Sequence, residues 1–185
     1  MTQVVAFAMV SLDGFVNDKN GDIDWHMPDD ETHAFANELQ SRSSDQIYDE
    51  ANYHIMKWWE NPPGLASMPP VIQQYAALWQ QSHKTIISTR LSGLDPAQYS
   101  VWPEFNPQAV ARLRERASRD IAIAGTALMA QALRLQLLDR IDLLTVPILL
   151  GAGEPCFQDV PRTGLKLLET RTFGGGWVYS AYGTR

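Results

Sequence analysis

A single cysteine, Cys156, rules out an intrachain disulfide. The four histidines, His26, His33, His54 and His83, show no paired spacing such as His-x-x-x-His, so they offer no metal-ligand set. Apolar runs are short as well: the stretch at 143–150 falls far below the roughly 20 residues of a membrane-crossing helix. Positive charge is in deficit, with 15 Lys and Arg against 21 Asp and Glu and a formal net charge of -6. Nucleic-acid and anionic-membrane surfaces need clustered cations, so neither partner is expected. The first residues carry no basic segment ahead of an apolar signal core, which leads to the expectation of a cytoplasmic protein.

What is present suits one domain. A chain of 185 residues, 45% of them hydrophobic, can bury one substantial core, and the expected domain spans 1–185. The run at 4–10, Val-Val-Ala-Phe-Ala-Met-Val, reads as a central strand covered on both faces. Asp13-Gly14 and the Asn, Asp and Gly residues that follow predict a mobile surface loop over 13–24. Pro28 and the acids Asp29, Asp30 and Glu31 suit the start of a helix through Leu39. The same acids lie near Trp25, Met27 and Phe35, and a carboxyl in such an apolar pocket would have a raised pKa and could give up a proton.

Further along, Gln46-Ile-Tyr48 predicts a short strand, and 51–59 a helix with Ile55, Met56 and Trp59 facing the core. A second helix should run from Pro69-Pro70 to near His83, leaving that histidine exposed at its end. Residues 84–90 read as a core strand ending in Ser88-Thr89-Arg90, a hydroxyl and guanidinium cluster suited to a phosphate or simply to a turn. Asn106-Pro107 should cap a helix whose Arg112, Arg114, Arg116 and nearby Arg119 form a solvated face. A strand bent at Pro147 and a terminal antiparallel hairpin around Gly174-Gly175-Gly176 complete a mostly parallel α/β sheet.

One stretch changes character at a single glycine. Residues 121–124 are a short apolar strand, and after Gly125 the spacing of Leu128, Ala132 and Leu135 becomes helical. Glycine allows close approach of a ligand, and a helix start offers free N–H groups and a positive dipole end. Strand-glycine-helix turns also occur without any ligand, so the motif alone is weak.

Taken together, Ser11-Leu-Asp-Gly14, Ala124-Gly-Thr-Ala127, Val146-Pro-Ile-Leu-Leu-Gly-Ala-Gly-Glu-Pro-Cys-Phe157 and the tail from Leu167 to Gly176 resemble the dihydrofolate reductase-like family. The likeness is to the reductase domain of bifunctional riboflavin-biosynthesis enzymes, and it covers nearly the whole chain. It implies a three-layer α/β fold with helices on both faces of the sheet. It further implies a homodimer that uses NADPH to reduce a small pterin-like or ribosylaminopyrimidine-like heterocycle.

By position, the resemblance assigns Ala124, Gly125, Thr126 and Ala127 to the cofactor pyrophosphate and Ser88, Thr89 and Arg90 to its 2′-phosphate. Asp30, from Trp25-x-Met27-Pro28-x-Asp30, becomes the acid that helps protonate a ring nitrogen. Ser11, Asp13, Trp25, Met27 and Tyr53 become substrate-side contacts. One departure opposes the cofactor: where relatives carry Gly-Arg, this chain has Asp49-Glu50, and an acid beside a phosphate is unfavourable. A reductase-like ligand-binding or interaction protein that has lost or altered dinucleotide binding is the alternative.

Overall fold

The computed structural model describes residues 2–184. In chain order these form β1 (Val4–Ser11), β2 (Phe15–Asp18), α1 (Asp30–Ser41), β3 (Ser43–Asp49), α2 (Glu50–Met56), α3 (Pro70–Gln81), β4 (His83–Ile87) and β5 (Tyr99–Trp102). There follow α4 (Pro107–Arg116), β6 (Asp120–Ala124), α5 (Thr126–Arg134), β7 (Arg140–Val146), β8 (Gly153–Pro155), β9 (Lys166–Thr172) and β10 (Val178–Gly183). Eight strands make one sheet in the order β5-β4-β3-β6-β1-β7-β10-β9, and β2 pairs with β8 apart from it. The first six are parallel; β10 and β9 run antiparallel at one edge.

The apolar run in β1 explains its central place. Alternate side chains face opposite sides of a strand, so Val4, Ala6 and Val10 enter one core layer with Val110, Leu113, Leu128 and Met129 from α4 and α5. Phe7 and Met9 turn to the other layer, with Phe35 and Leu39 of α1 and Tyr179 of β10. Full burial of a residue such as Ile121 or Ile123 contributes about 1.5–3 kcal/mol, and β6 lies beside β1 with both. Two caps act as their sequence suggests: Asp29 accepts from Thr32 N at 2.8 Å, and Asn106 accepts from Ala109 N at 2.8 Å.

Several expectations need correction. The strand expected to bend at Pro147 stops at Val146, because proline has no N–H with which to continue the ladder. The loop expected over 13–24 contains β2, which is paired with β8. At Gly153 of β8, φ is +156° and an added Cβ would strike the Asn17 carbonyl oxygen, so glycine is what permits this pairing. Within 51–59, Tyr53 is the buried residue and Ile55 is exposed, while Met56 is half-buried against the Tyr53 cluster; α2 ends at Met56, and the 3₁₀ turn Lys57–Glu60 leaves Trp58 exposed and Trp59 half-buried against Tyr75. His83 opens β4 and its Nε2 lies 2.9 Å from Ser100 Oγ, so it is a strand residue, not an exposed helix end. Arg114 leaves the expected solvated face to pair with Asp139 at 2.7 Å. Strand β5, which the sequence pattern does not predict, pairs in parallel with β4.

Candidate functional site

Helices α1 and α5 follow the adjacent strands β1 and β6 but pack on opposite faces of the sheet. Such a switch opens a crevice at the carboxyl ends of the strands, where ligands bind in open α/β sheets. Four segments meet this rim: Ser11 from β1, Ala124-Gly125-Thr126 from β6 into α5, Asp49-Glu50 from β3 into α2, and Ser88 after β4.

Gly125 has φ +109°, a conformation that disfavours any side chain, and an added Cβ would fall on Asp49 Oδ2. The space a ligand could use beside this glycine is therefore already approached by a carboxylate. Asp49 caps α2, accepting from Asn52 N at 2.7 Å. Burial, opposed by that hydrogen bond and reinforced by nearby Glu154, raises its pKa above the ordinary aspartate value. Thr126, first residue of α5, donates its hydroxyl to Glu154, whose other oxygen accepts from Asn17 Nδ2 at 2.9 Å.

A second constellation lies two strands away. Ser88 Oγ donates to Glu50 Oε2 at 2.7 Å, and Arg90 Nη2 donates to Glu50 Oε1 at 2.9 Å. Ser88 Oγ in turn accepts from Arg90 N and Leu91 N, both at 3.0 Å. The Ser88 hydroxyl, and then Arg90, hold the Glu50 carboxyl below the usual glutamate pKa. Thr89 is exposed beside them and Ala127 is exposed on α5.

The expected substrate-side residues divide. Ser11 is buried and donates to Asp13 Oδ1 at 2.7 Å, while accepting from Phe15 N at 2.9 Å. Asp13, its pKa lowered chiefly by the Ser11 hydroxyl, also accepts from Leu150 N and Gly151 N, so this pair ties the end of β1 to the segment after β7. Trp25 is half-buried against the α1 core layer and donates from Nε1 to Asp22 O at 3.0 Å. Met27 is 76% exposed, and Asp30 is exposed in the first turn of α1 rather than desolvated in an apolar pocket. Tyr53 is buried with Tyr48, Ile86 and Tyr99, and its hydroxyl has no hydrogen-bond partner among the described residues.

Glu154 and Asn17 were not singled out in the sequence; the only signal was an acid just after Gly151-Ala-Gly153. A cavity of about 500 Å³ lined by Glu60, Trp79, Gln80, Asp95 and Tyr99 contains none of the expected site residues. Among the described residues there is no group of three or more His, Cys, Asp or Glu able to hold a metal ion, and no helix is long and apolar enough to cross a membrane.

Comparison with known proteins agrees with this architecture. A family model described as the RibD C-terminal domain matches residues 2–179. The uncharacterised protein YyaP of Bacillus subtilis (strain 168) is 27% identical over 184 residues, covering 97% of this chain and 94% of its own. Among solved structures, a candidate riboflavin biosynthesis protein from Shewanella sp. PV-4 superposes with a TM-score of 0.78 at 17% identity, covering 100% of this chain and 99% of that one. Dihydrofolate reductase from Enterococcus faecalis, in complex with NADP(H) and RAB-propyl, gives 0.64 at 12% identity, covering 98% and 95%. The three-layer, dihydrofolate reductase-like fold is thus the one this chain adopts.

Proposed function

The chain belongs to the RibD C-terminal domain family and has its reductase-like fold; from that premise we propose that it is a nicotinamide-dinucleotide-dependent reductase of a small pterin-like or ribosylaminopyrimidine-like heterocycle. The observation that carries this reading is the rim itself, where a glycine at φ +109° leads into the nine-residue helix α5 at the switch point of the sheet. Gly125 and Thr126 would hold the pyrophosphate once the Asp49 and Glu154 side chains turn aside. The cofactor, when bound, supplies a hydride to the ring.

The chain's own residues supply the remainder. Ser11 and Asp13 fix the wall formed by the end of β1 and the segment after β7. Asp30, exposed in the first turn of α1, would pass the matching proton to a ring nitrogen, directly or through water, once a bound ring shields it from solvent. Titration with NADH and with NADPH, followed by quenching of tryptophan fluorescence, tests the reading. Saturable binding of at least one supports it, and no binding of either at millimolar concentration overturns it.

A second reading, a reductase-like protein that binds another ligand without hydride chemistry, draws on one observation. Carboxylates of Asp49, Glu50 and Glu154 occupy the positions beside Gly125, Ser88-Arg90 and Thr126. Loss of all dinucleotide binding is the result that would favour it.

Assembly as a homodimer through β9 is also proposed. This edge strand is exposed along its whole length, with Leu167 and Leu168 each about half exposed. An edge strand that exposes two leucines is a pairing surface. Sedimentation at micromolar concentration should give a dimer, and Leu167→Lys should shift it to monomer.

A further inference from the structure

We infer that Glu50 sets the choice of dinucleotide: its carboxylate receives the free ribose 2′-hydroxyl of NADH and turns away the 2′-phosphate of NADPH. This rests on the dinucleotide reading of the rim and adds to it which cofactor enters.

Placement comes first. Strand β3 lies between β4 and β6, so Ser88 sits two strand spacings, roughly 10 Å, from Gly125. The 2′ substituent of an adenosine ribose lies several bonds beyond its own pyrophosphate, so a dinucleotide held at Gly125 can bring that substituent into contact with the Ser88–Glu50 group. With the pyrophosphate at the start of α5, the ribose would face the end of β3, where Asp49 gives way to Glu50.

Hydrogen-bond capacity decides between the two sugars. A serine hydroxyl has one proton and two lone pairs. At Ser88 both lone pairs are taken by Arg90 N and Leu91 N, and the proton goes to Glu50. The Ser88 side chain therefore has no donor left for a phosphate. Arg90 remains, but its side chain is 80% exposed and already shared with Glu50 at 2.9 Å, so the pair is close to neutral. A phosphate of nearly two negative charges would meet one solvated cation and one carboxylate at contact distance.

A free 2′-hydroxyl meets the opposite situation. A carboxylate has about four acceptor positions, and Ser88 and Arg90 occupy one on each oxygen. His54 Nε2, at 3.9 Å from Oε1, lies beyond hydrogen-bond distance. Among the described residues an acceptor position thus stays open on each oxygen, and a donated 2′-hydroxyl proton costs neither existing partner. An acidic side chain taking the ribose 2′-hydroxyl is the same chemical solution used in dinucleotide folds that select the unphosphorylated cofactor.

The test is fluorescence titration of the full chain and of Glu50→Gln with NADH and NADPH, with thermal melts of both proteins compared. The wild type should bind NADH at least tenfold more tightly than NADPH. Glu50→Gln, which keeps an acceptor for Ser88 but removes the charge, should bring the two affinities within about threefold, mainly by tightening NADPH. Wild-type preference for NADPH, or equal affinity, overturns the inference while leaving the reductase reading intact. An unchanged ratio in a variant that melts like the wild type also overturns it, by placing the discrimination elsewhere. Absence of binding by both nucleotides overturns the inference and the reductase reading together.

Discussion

Two constellations in this molecule use the same three chemical groups, a carboxylate, a guanidinium and a hydroxyl, to opposite ends. In the first, Asp142 on β7 accepts from Arg140 Nε at 2.9 Å and Nη2 at 2.6 Å, and from Tyr179 Oη at 3.0 Å. Its acid is only 2% exposed. In the second, Glu50 accepts from Ser88 and Arg90 at comparable distances, but at the rim, with an 80% exposed guanidinium. Distances do not separate them; solvent does. Removing one member of a buried ion pair leaves an uncompensated charge in a medium that cannot hydrate it, whereas exposed partners simply return to water. The buried set locks β7 to β10, and the rim set can open for a ligand.

The comparison would break most decisively at Asp142. Asp142→Asn leaves the Arg140 guanidinium largely buried without a carboxylate, and chemical denaturation should register a loss of about 3–5 kcal/mol. A loss below about 1 kcal/mol would mean that the buried set is as dispensable as an exposed one.

Lys84 sharpens the comparison as a buried cation that, among the described residues, lacks a carboxylate partner within salt-bridge distance. It is fully buried, its Nζ lies 4.1 Å from the centre of the Trp79 ring, and burial pushes its pKa down to about 8, with Glu60 opposing. Between that value and the unfolded value of 10.5 the unfolded chain binds more protons, so this group's contribution to stability rises with pH. The measurement is the difference in unfolding free energy between wild type and Lys84→Met from pH 7.5 to about 9.5. Taking that difference removes the opposing effect of buried tyrosines such as Tyr48, whose pKa is raised by burial. A flat difference would show that the ammonium is solvated.

The smallest effect belongs to Glu50→Gln. Its melting temperature at pH 7 should match the wild type closely. The low folded pKa of Glu50 makes its contribution present above the unfolded glutamate value and lost as pH falls through the folded one, so any difference should vanish in acid. A large loss of stability at neutral pH would move this residue into the class of Asp142.

The contrast also explains what could be read from the chain in advance. Continuous apolar runs over 4–10 and 121–124 reveal β1 and β6, because burial on both faces leaves no polar position within those runs. Asp29 and Asn106 are legible as caps because a cap acts on a backbone N–H three residues away. Strand β5 is only four residues long, three of them half-buried, too short for a periodic pattern. Glu50 and Ser88 are 38 residues apart and meet only through the β3–β4 register. From sequence, Glu50 could be weighed only as an intruder against a phosphate; the fold makes it the partner of the very donors expected to bind that phosphate. Asp30 shows the reverse, since composition suggested an apolar pocket and the helix start leaves its carboxyl in water.

Cys156 has one further consequence. Its thiol is 1% exposed, its pKa is raised by burial to about 12, and its backbone N–H donates to Gly14 O at 2.9 Å beside the β2–β8 pair. In the native state it is therefore silent to alkylating and disulfide reagents. Because it is the chain's sole sulfhydryl, each labelling event counts one opening of the segment after β8. The protein carries its own clock for local unfolding at the wall beside Ser11 and Asp13, readable by mass without any engineered probe.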